Sequence, residues 1–317
     1  FQSFGFNLQT QSKKHTKMKK IVLILAMTTV CCGIGMAQQT ANTDNALEQV
    51  ADSNWTYEAS GSLTFSQLGL SNWAEGGENN LSLIGFINAK ANYKKDKTTW
   101  DNSLRLGYGL LKQGETDFVK SDDIIDFQSK YGHQAKKIWY YSALLNFKTQ
   151  FDLGYEEPLL RTNLASQFFA PAYVNLALGM DYKPNDNFSV LISPLSMKAT
   201  YVLAEQIDET RWGLDLDEKS RYELGASLNA QYKTKLMENV SYETRLALFS
   251  NYLNNPLNID VNWQNVITMK VNDYISMNIL TELRYDDDIV FEKDNGKLGK
   301  AVQFKEVLGI GLTYKFL

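Results

Sequence analysis

A chain of 317 residues with a net charge of −4 and only two cysteines lies outside several classes from the start. Both cysteines, Cys31 and Cys32, fall in an N-terminal apolar run, so past residue 37 there is no thiol for a disulfide framework, a zinc cluster or a cysteine nucleophile. The acidic balance argues against a nucleic-acid partner, and past that run no apolar stretch approaches the roughly 20 residues of a spanning helix.

The first recognisable segment is 18–37. Met18 and two lysines, an apolar core from Ile21 and the small-residue pattern Gly35-Met36-Ala37 are the three parts of a secretory signal, with cleavage expected after Ala37. Residues 1–17 precede that start and are expected to be upstream, non-native sequence. Losing Lys13, Lys14, Lys17, Lys19 and Lys20 with the signal takes the net charge to −9. The polar leader 38–54 is far too short for a plug domain and is expected to trail in the periplasm as a disordered tail or to enter the lumen.

From 55 to 317 the sequence reads as one domain built from segments of period two. In "TWDNSLRLGYGLL", Trp100, Asn102, Leu104, Leu106, Tyr108 and Leu110 share one face, and Asp101, Ser103, Arg105, Gly107 and Gly109 share the other. A helix does not segregate these sets. The pattern predicts strands near 55–68, 80–93, 99–112, 122–133, 137–151, 172–183, 188–202, 221–236, 240–253, 259–271, 274–286 and 301–317. The fold class is therefore all-β, a transmembrane antiparallel up-and-down β-barrel of about 12 strands, within 10 to 14. The fourth strand is the weakest, because "DDIIDFQSKYGH" alternates only in its second half.

Loop lengths alternate. Tight turns at 94–98, 134–137, 184–187, 237–239 and 272–273 face long connections such as 152–171, 204–220 and 287–300. That sorting belongs to an outer-membrane barrel, whose short turns and termini lie on the periplasmic side, and a soluble sandwich has no reason for it. Tyr93, Trp100, Tyr182, Phe188, Tyr232 and Tyr242 flank the short turns and form one expected interfacial girdle; Tyr108, Phe151, Tyr201, Tyr222, Tyr252, Trp263 and Tyr285 are candidates for the second. The last strand, with Phe304, Leu308, Ile310, Leu312, Tyr314 and Phe316 outward, looks like a recognition strand for the barrel insertion machinery, although Leu317 follows the final aromatic.

The face opposite the apolar one is too polar for an expected packed core. Its candidate lumen-lining residues are Asp101, Arg105, Lys148, Asp181, Glu223, Lys233, Glu243, Arg245, Asp260, Lys270, Glu282 and Arg284, both signs in comparable number. Such charges either line a water-filled bore that passes small hydrophilic solutes or pair across it and plug it.

No catalytic set emerges. The one histidine past residue 37, His133, sits at a periplasmic turn, away from the outer loops where a lipid-modifying enzyme of this kind builds its site. The acidic loop 284–297, "RYDDDIVFEKDNGK", does not follow calcium-loop spacing and is expected to be solvated. Neither a cofactor nor a metal is expected. In the first loop, Asn72, Trp73, Gly76, Gly77 and Asn79 form a motif in which the glycines supply turn freedom or an anion nest, and Trp73 is either a lumen constriction or a lipid anchor.

That same motif, followed by a strand of small and polar residues and then Trp100, Asn102 and Leu104, resembles a family of Bacteroidota outer-membrane proteins known as domain of unknown function 3078. The resemblance implies an exported barrel in a Gram-negative envelope, in contact with outer-membrane lipid and lipopolysaccharide. It transfers no mechanism. The leading expectation is a monomeric barrel acting as a passive channel for small hydrophilic solutes; the alternatives are a closed structural or partner-docking barrel and, third, an outer-leaflet lipid-modifying enzyme.

Overall fold

The computed structural model describes residues 54–69, 78–289, 291–292 and 298–315. The expected signal at 18–37, the segment before it, the leader up to Ser53 and the motif residues Asn72, Trp73, Gly76 and Gly77 lie outside the described residues.

The strands are β1 (Trp55–Leu68), β2 (Asn80–Lys95), β3 (Thr98–Gln113), β4 (Val119–Lys136), β5 (Trp139–Thr149), β6 (Gly154–Glu157), β7 (Thr162–Ser166), β8 (Ala172–Asn185), β9 (Phe188–Tyr201), β10 (Ser220–Met237), β11 (Val240–Asn251), β12 (Ile259–Lys270), β13 (Ile275–Tyr285), β14 (Phe291–Glu292), β15 (Leu298–Gly299) and β16 (Gln303–Lys315). Twelve of them close into one barrel in the order β1-β16-β13-β12-β11-β10-β9-β8-β5-β4-β3-β2. Each of these pairs with its neighbours in an antiparallel ladder, including the closing pair β1–β16. The remaining four form two small hairpins, β6–β7 and β14–β15, inside the long loops; the period-two reading did not anticipate them. The segment around 122–133, weak in sequence, is an 18-residue strand.

Period two decides which side chains meet the outside. Along β10, Tyr222 and Leu224 are exposed while Glu223 and Gly225 between them are buried. The outward set around the wall, Phe65, Ile87, Leu178, Ile192, Leu308 and Ile310 among others, is half exposed or more. A band of this extent is far beyond the apolar patches a soluble monomer shows to water, and lipid removes the penalty. At the turn end, aromatic rings of neighbouring strands meet: Trp55 of β1 with Tyr93 of β2 at 5.2 Å and, one strand further, with Trp100 of β3 at 5.9 Å, Trp139 with Tyr182 at 5.1 Å, Tyr182 with Phe188 at 6.3 Å, and Phe188 with Tyr232 at 6.2 Å.

One irregularity redirects side chains. In β9, Ser193-Pro194-Leu195 interrupts the ladders on both sides: pairing jumps from Leu178↔Leu195 to Met180↔Ile192 on one flank and from Gly225↔Ser196 to Ser227↔Ser193 on the other. Pro194 has no N–H to donate, so a bulge is where a strand accommodates it. The released carbonyls are satisfied locally. Ser193 Oγ donates to the Leu178 carbonyl at 2.6 Å, and Tyr252 Oη donates to the Pro194 carbonyl at 2.8 Å. The bulge inverts the parity of the rest of β9, which brings Lys198 into the lumen.

The interior departs from the expected polar face. Leu144 of β5, Ala177 of β8 and Leu191 of β9 point inward and form a buried apolar cluster, and Ile124 and Leu280 are buried on the same side of the wall. The lumen is thus partly a packed core, with apolar side chains filling space between the charged ones.

Candidate functional site

The charged lumen is organised by height along the barrel. Nearest the short turns, Lys183 Nζ of β8 donates to Asp101 of β3 at 2.9 Å, and Lys130 Nζ of β4 donates to Asp181 of β8 at 2.7 Å. On the facing wall, Arg245 pairs with Glu243 two residues away at 2.7 Å, Lys90 of β2 approaches the same carboxylate at 3.8 Å, and Lys233 lies in interaction range of both.

At mid-height the pairs cross the bore. Lys148 of β5 reaches Glu282 of β13 at 3.3 Å, although five barrel strands separate them along either arc of the wall. Arg284 grips the same Glu282 at 2.5 Å, so this carboxylate has two cations and is only 4% exposed. The guanidinium of Arg105 stands 4.9 Å from the centre of the Phe86 ring.

Nearer the loops, one lysine holds three carboxylates from three places. Lys198 Nζ lies 2.7 Å from Asp286, 2.8 Å from Asp260 and 3.5 Å from Glu223. Arg221 pairs with Glu223 at 2.9 Å and with Asp288, Lys300 pairs with Asp287, and Lys305 of β16 reaches Asp122 of β4 at 2.8 Å across the bore. The described part of the acidic loop is therefore not a solvated run. Asp286, Asp287 and Asp288 turn back over the lumen mouth because cations are waiting there.

The loops above carry their own small core. Ala170, Val202, Ala204, Ile207 and Leu214 are buried together against Leu164 and Trp212. A 3-10 turn at Glu209–Trp212 shapes it, with Asp208 accepting the Thr210 N–H at 3.0 Å as its cap. Arg221 donates to the Gly213 carbonyl at 2.6 Å, which ties this loop to the aspartate turn.

Below the ion pairs the lumen opens. A cavity of about 870 Å³ begins among the exposed turn residues Glu238, Asn239, Asn272 and Asp273 and ends at Arg105, Asp126 and Arg245. Lys270, expected inside, sits exposed at this mouth.

A model of the family described as "Protein of unknown function (DUF3078)" matches residues 65–155. That stretch carries the strands for which the resemblance was drawn, and the match ends before the β6–β7 hairpin closes. No curated protein matches the chain. Among solved structures, the chain is similar to the translocator domain of the autotransporter NalP from Neisseria meningitidis, at 10% identity and a TM-score of 0.36, with 95% of this chain and 98% of that one covered. It is also similar to an outer membrane channel from Pseudomonas putida F1, at 9% identity and a TM-score of 0.38, with 88% and 100% covered. A third similarity is to the NanC porin, at 8% identity and a TM-score of 0.36, with 81% and 98% covered.

Of the residues picked out by parity, the structure brings Lys148, Glu282 and Arg284 into one group, Glu223 and Asp260 onto Lys198, and Glu243 and Arg245 together. Asp101 and Asp181 find Lys183 and Lys130, two lysines outside the set of lumen-lining candidates. The hub itself, Lys198, was missed because the bulge inverts its face; the available signal was Pro194 inside an otherwise regular strand. His133 is exposed on β4 at the turn end, paired in the ladder with Thr98 and Tyr141. Among the described residues no group of histidine, cysteine and carboxylate side chains suits a metal ion.

Outside the wall, Lys300 holds the Asp287 carboxyl below its ordinary range. A depressed carboxyl contributes stability above its unfolded value and loses it as pH falls through the folded one. The aspartate turn is accordingly expected to loosen only under strong acid, below the usual carboxylate range. Hydrogen exchange of 286–289 at neutral pH and in strong acid, corrected for intrinsic rates, checks this; equal protection at both counts against the tether.

Proposed function

We propose that the protein resides in the outer membrane of a Gram-negative envelope as a monomeric barrel closed to free axial diffusion, with a turn-side vestibule facing the periplasm. The observation that carries this reading is the Lys148–Glu282 contact across the bore, backed one layer higher by Lys198 with its three carboxylates. Inward Leu280 beside that pair, and Leu144 and Leu191 nearer the short turns, add apolar bulk to the bore and support the reading. The apolar belt, the aromatic ring at the short turns and the sorting of loop lengths support the membrane setting. Lipid and lipopolysaccharide are its surroundings in this reading.

A passive channel for small hydrophilic solutes is the second reading, favoured by the 870 Å³ cavity and its mixed charges. Planar-bilayer recording separates the two. The native chain is expected to give no stepwise conductance over a range of salts and voltages, and regular steps would establish the channel instead.

A further inference from the structure

The wall is not closed equally all round. The β2–β3 ladder runs the full length of both strands, from Asn80↔Gln113 to Lys95↔Thr98. The β1–β16 ladder that seals the barrel runs only from Ser60↔Lys315 to Thr64↔Gly311. Continued in the same register, Phe65 would oppose Ile310 and Gln67 would oppose Leu308, but among the described residues no ladder forms there. One edge of Phe65–Leu68 and one edge of Val307–Ile310 therefore stand without a strand.

This gap lies in the apolar belt. Phe65, Phe304, Leu308 and Ile310 flank it and are 54–64% exposed on the lipid-facing side. Unpaired backbone groups are costly in hydrocarbon, so an open seam at this depth calls for water or a ligand to satisfy it. The cavity lies directly behind: Thr64, Val307 and Gly309 belong to its lining. At its inner end Lys90, Arg105 and Arg245 face the space, with Lys233 beside them, against the carboxylates Glu243 and Asp126. Arg105 has no ion pair within 4 Å among the described residues, although Asp126 stands beside it in the ladder. The same cavity opens at the turn end, whereas toward the loops ion-pair layers cross the bore.

We propose that the loop-side half of the β1–β16 seam is a lateral portal, through which a single-chain amphiphile with an anionic head enters from the bilayer and places its head in the cationic end of the vestibule. The apolar flanks suit one acyl chain, and Arg105 suits a carboxylate or a phosphate, both of which guanidinium binds by charge-assisted hydrogen bonds. The proposal rests on the membrane-barrel reading and goes beyond it: a barrel shut along its axis connects the outer half of the bilayer to the turn-side vestibule through its wall.

The test uses the exported chain in nanodiscs of phosphatidylethanolamine and phosphatidylglycerol, with photoactivatable palmitic acid as probe, a photoactivatable lysophosphatidic acid as the phosphate arm and the matching fatty alcohol as the uncharged arm. Labelled peptides are mapped by mass spectrometry. Labelling of cavity residues such as Thr64, Phe86 and Val307 is expected by one or both acidic probes, and whichever acid labels names the head. The alcohol and the Arg105→Gln variant are expected to label about tenfold less. Oxidised Gln67→Cys/Leu308→Cys, which clasps the gap, is expected to lose cavity labelling by about tenfold and regain it on reduction; Phe65→Cys/Ile310→Cys serves as a second clasp. Cavity labelling that survives either closed clasp in a barrel that still migrates faster unboiled than boiled overturns the portal alone. Equal labelling by acid and alcohol overturns the anionic head. An unmodified chain without the boiling-dependent shift overturns the membrane-barrel reading, and the portal with it.

Discussion

Replacing Lys198 by methionine is expected to destabilise the folded barrel by about 3–5 kcal/mol, the usual cost of removing one partner from a buried ion pair. Among the described residues it is the only cation that touches Glu223, Asp260 and Asp286 at once, and its side chain is 14% exposed while that of Glu223 is 3% exposed. Without it, three carboxylates crowd one another in a site with little water, and Asp286 no longer holds the aspartate turn over the mouth. Urea titration read by the boiling-dependent gel shift measures the loss. If the barrel is closed along its axis as proposed, the same variant is expected to raise uptake of small sugars into proteoliposomes, because that hub then forms the upper barrier across the bore. Combining Lys198→Met with Glu223→Gln and Asp260→Asn is expected to recover most of the stability, since neutral partners leave no uncompensated charge. A single variant as stable as the native chain would mean that Lys198 is not a structural hub.

Gly179→Val is the second large effect. A Cβ at this position would lie 2.0 Å from the carbonyl oxygen of Ile192, a backbone atom in the neighbouring strand that cannot rotate away. The clash falls on the β8–β9 ladder at the bulge, where pairing skips from Leu178 to Met180. Overpacking of this kind costs about 1–3 kcal/mol in a soluble core, and here it also threatens the wall's register. The expected outcome is a lowered urea midpoint and a reduced folded fraction on the gel. Gly85→Ala is the control: its Cβ would meet nothing nearer than Leu63 Cδ1 at 3.8 Å, so the variant is expected to be near neutral. Equal behaviour of the two variants would remove close strand approach as the reason for Gly179.

The barrel was legible because its determinants are local. Strand positions follow from period two, and twelve segments read that way coincide within a few residues with the twelve strands of the wall. The aromatic ring at the turn end was legible for the same reason: Tyr93, Tyr182, Phe188 and Tyr232 stand at strand ends beside short turns, and neighbouring ends must meet. The interior was legible only in part. Parity places Lys148, Glu223, Asp260 and Glu282 inside, but not which of them meet, since Lys148 and Glu282 are brought together from opposite walls by barrel diameter and shear.

Two local irregularities explain most of what parity missed. The bulge at Pro194 turns Lys198 inward, and the irregular pairing near Asp122, where Gly109↔Asp122 is followed by Leu110↔Lys120, blurs the alternation of β4. The aspartates 286–288 read as a solvated loop because composition reports charge and not the position of Lys198, Arg221 and Lys300. The apolar cluster of Leu144, Ala177 and Leu191 likewise sits at positions that parity assigned to water.

By itself the sequence determined that this protein is an antiparallel all-β barrel with one apolar face, one charged face and loops sorted by length. Those properties depend on residues that are neighbours in the chain, where period and turn chemistry act directly. Only the tertiary structure decided that the charges cross-link across the bore, that a vestibule remains at the turn end, and that the last ladder stops short at Thr64↔Gly311. Closure brings together residues more than a hundred positions apart, and whether two charges pair or face water depends on distances across the barrel that no pattern along one strand encodes.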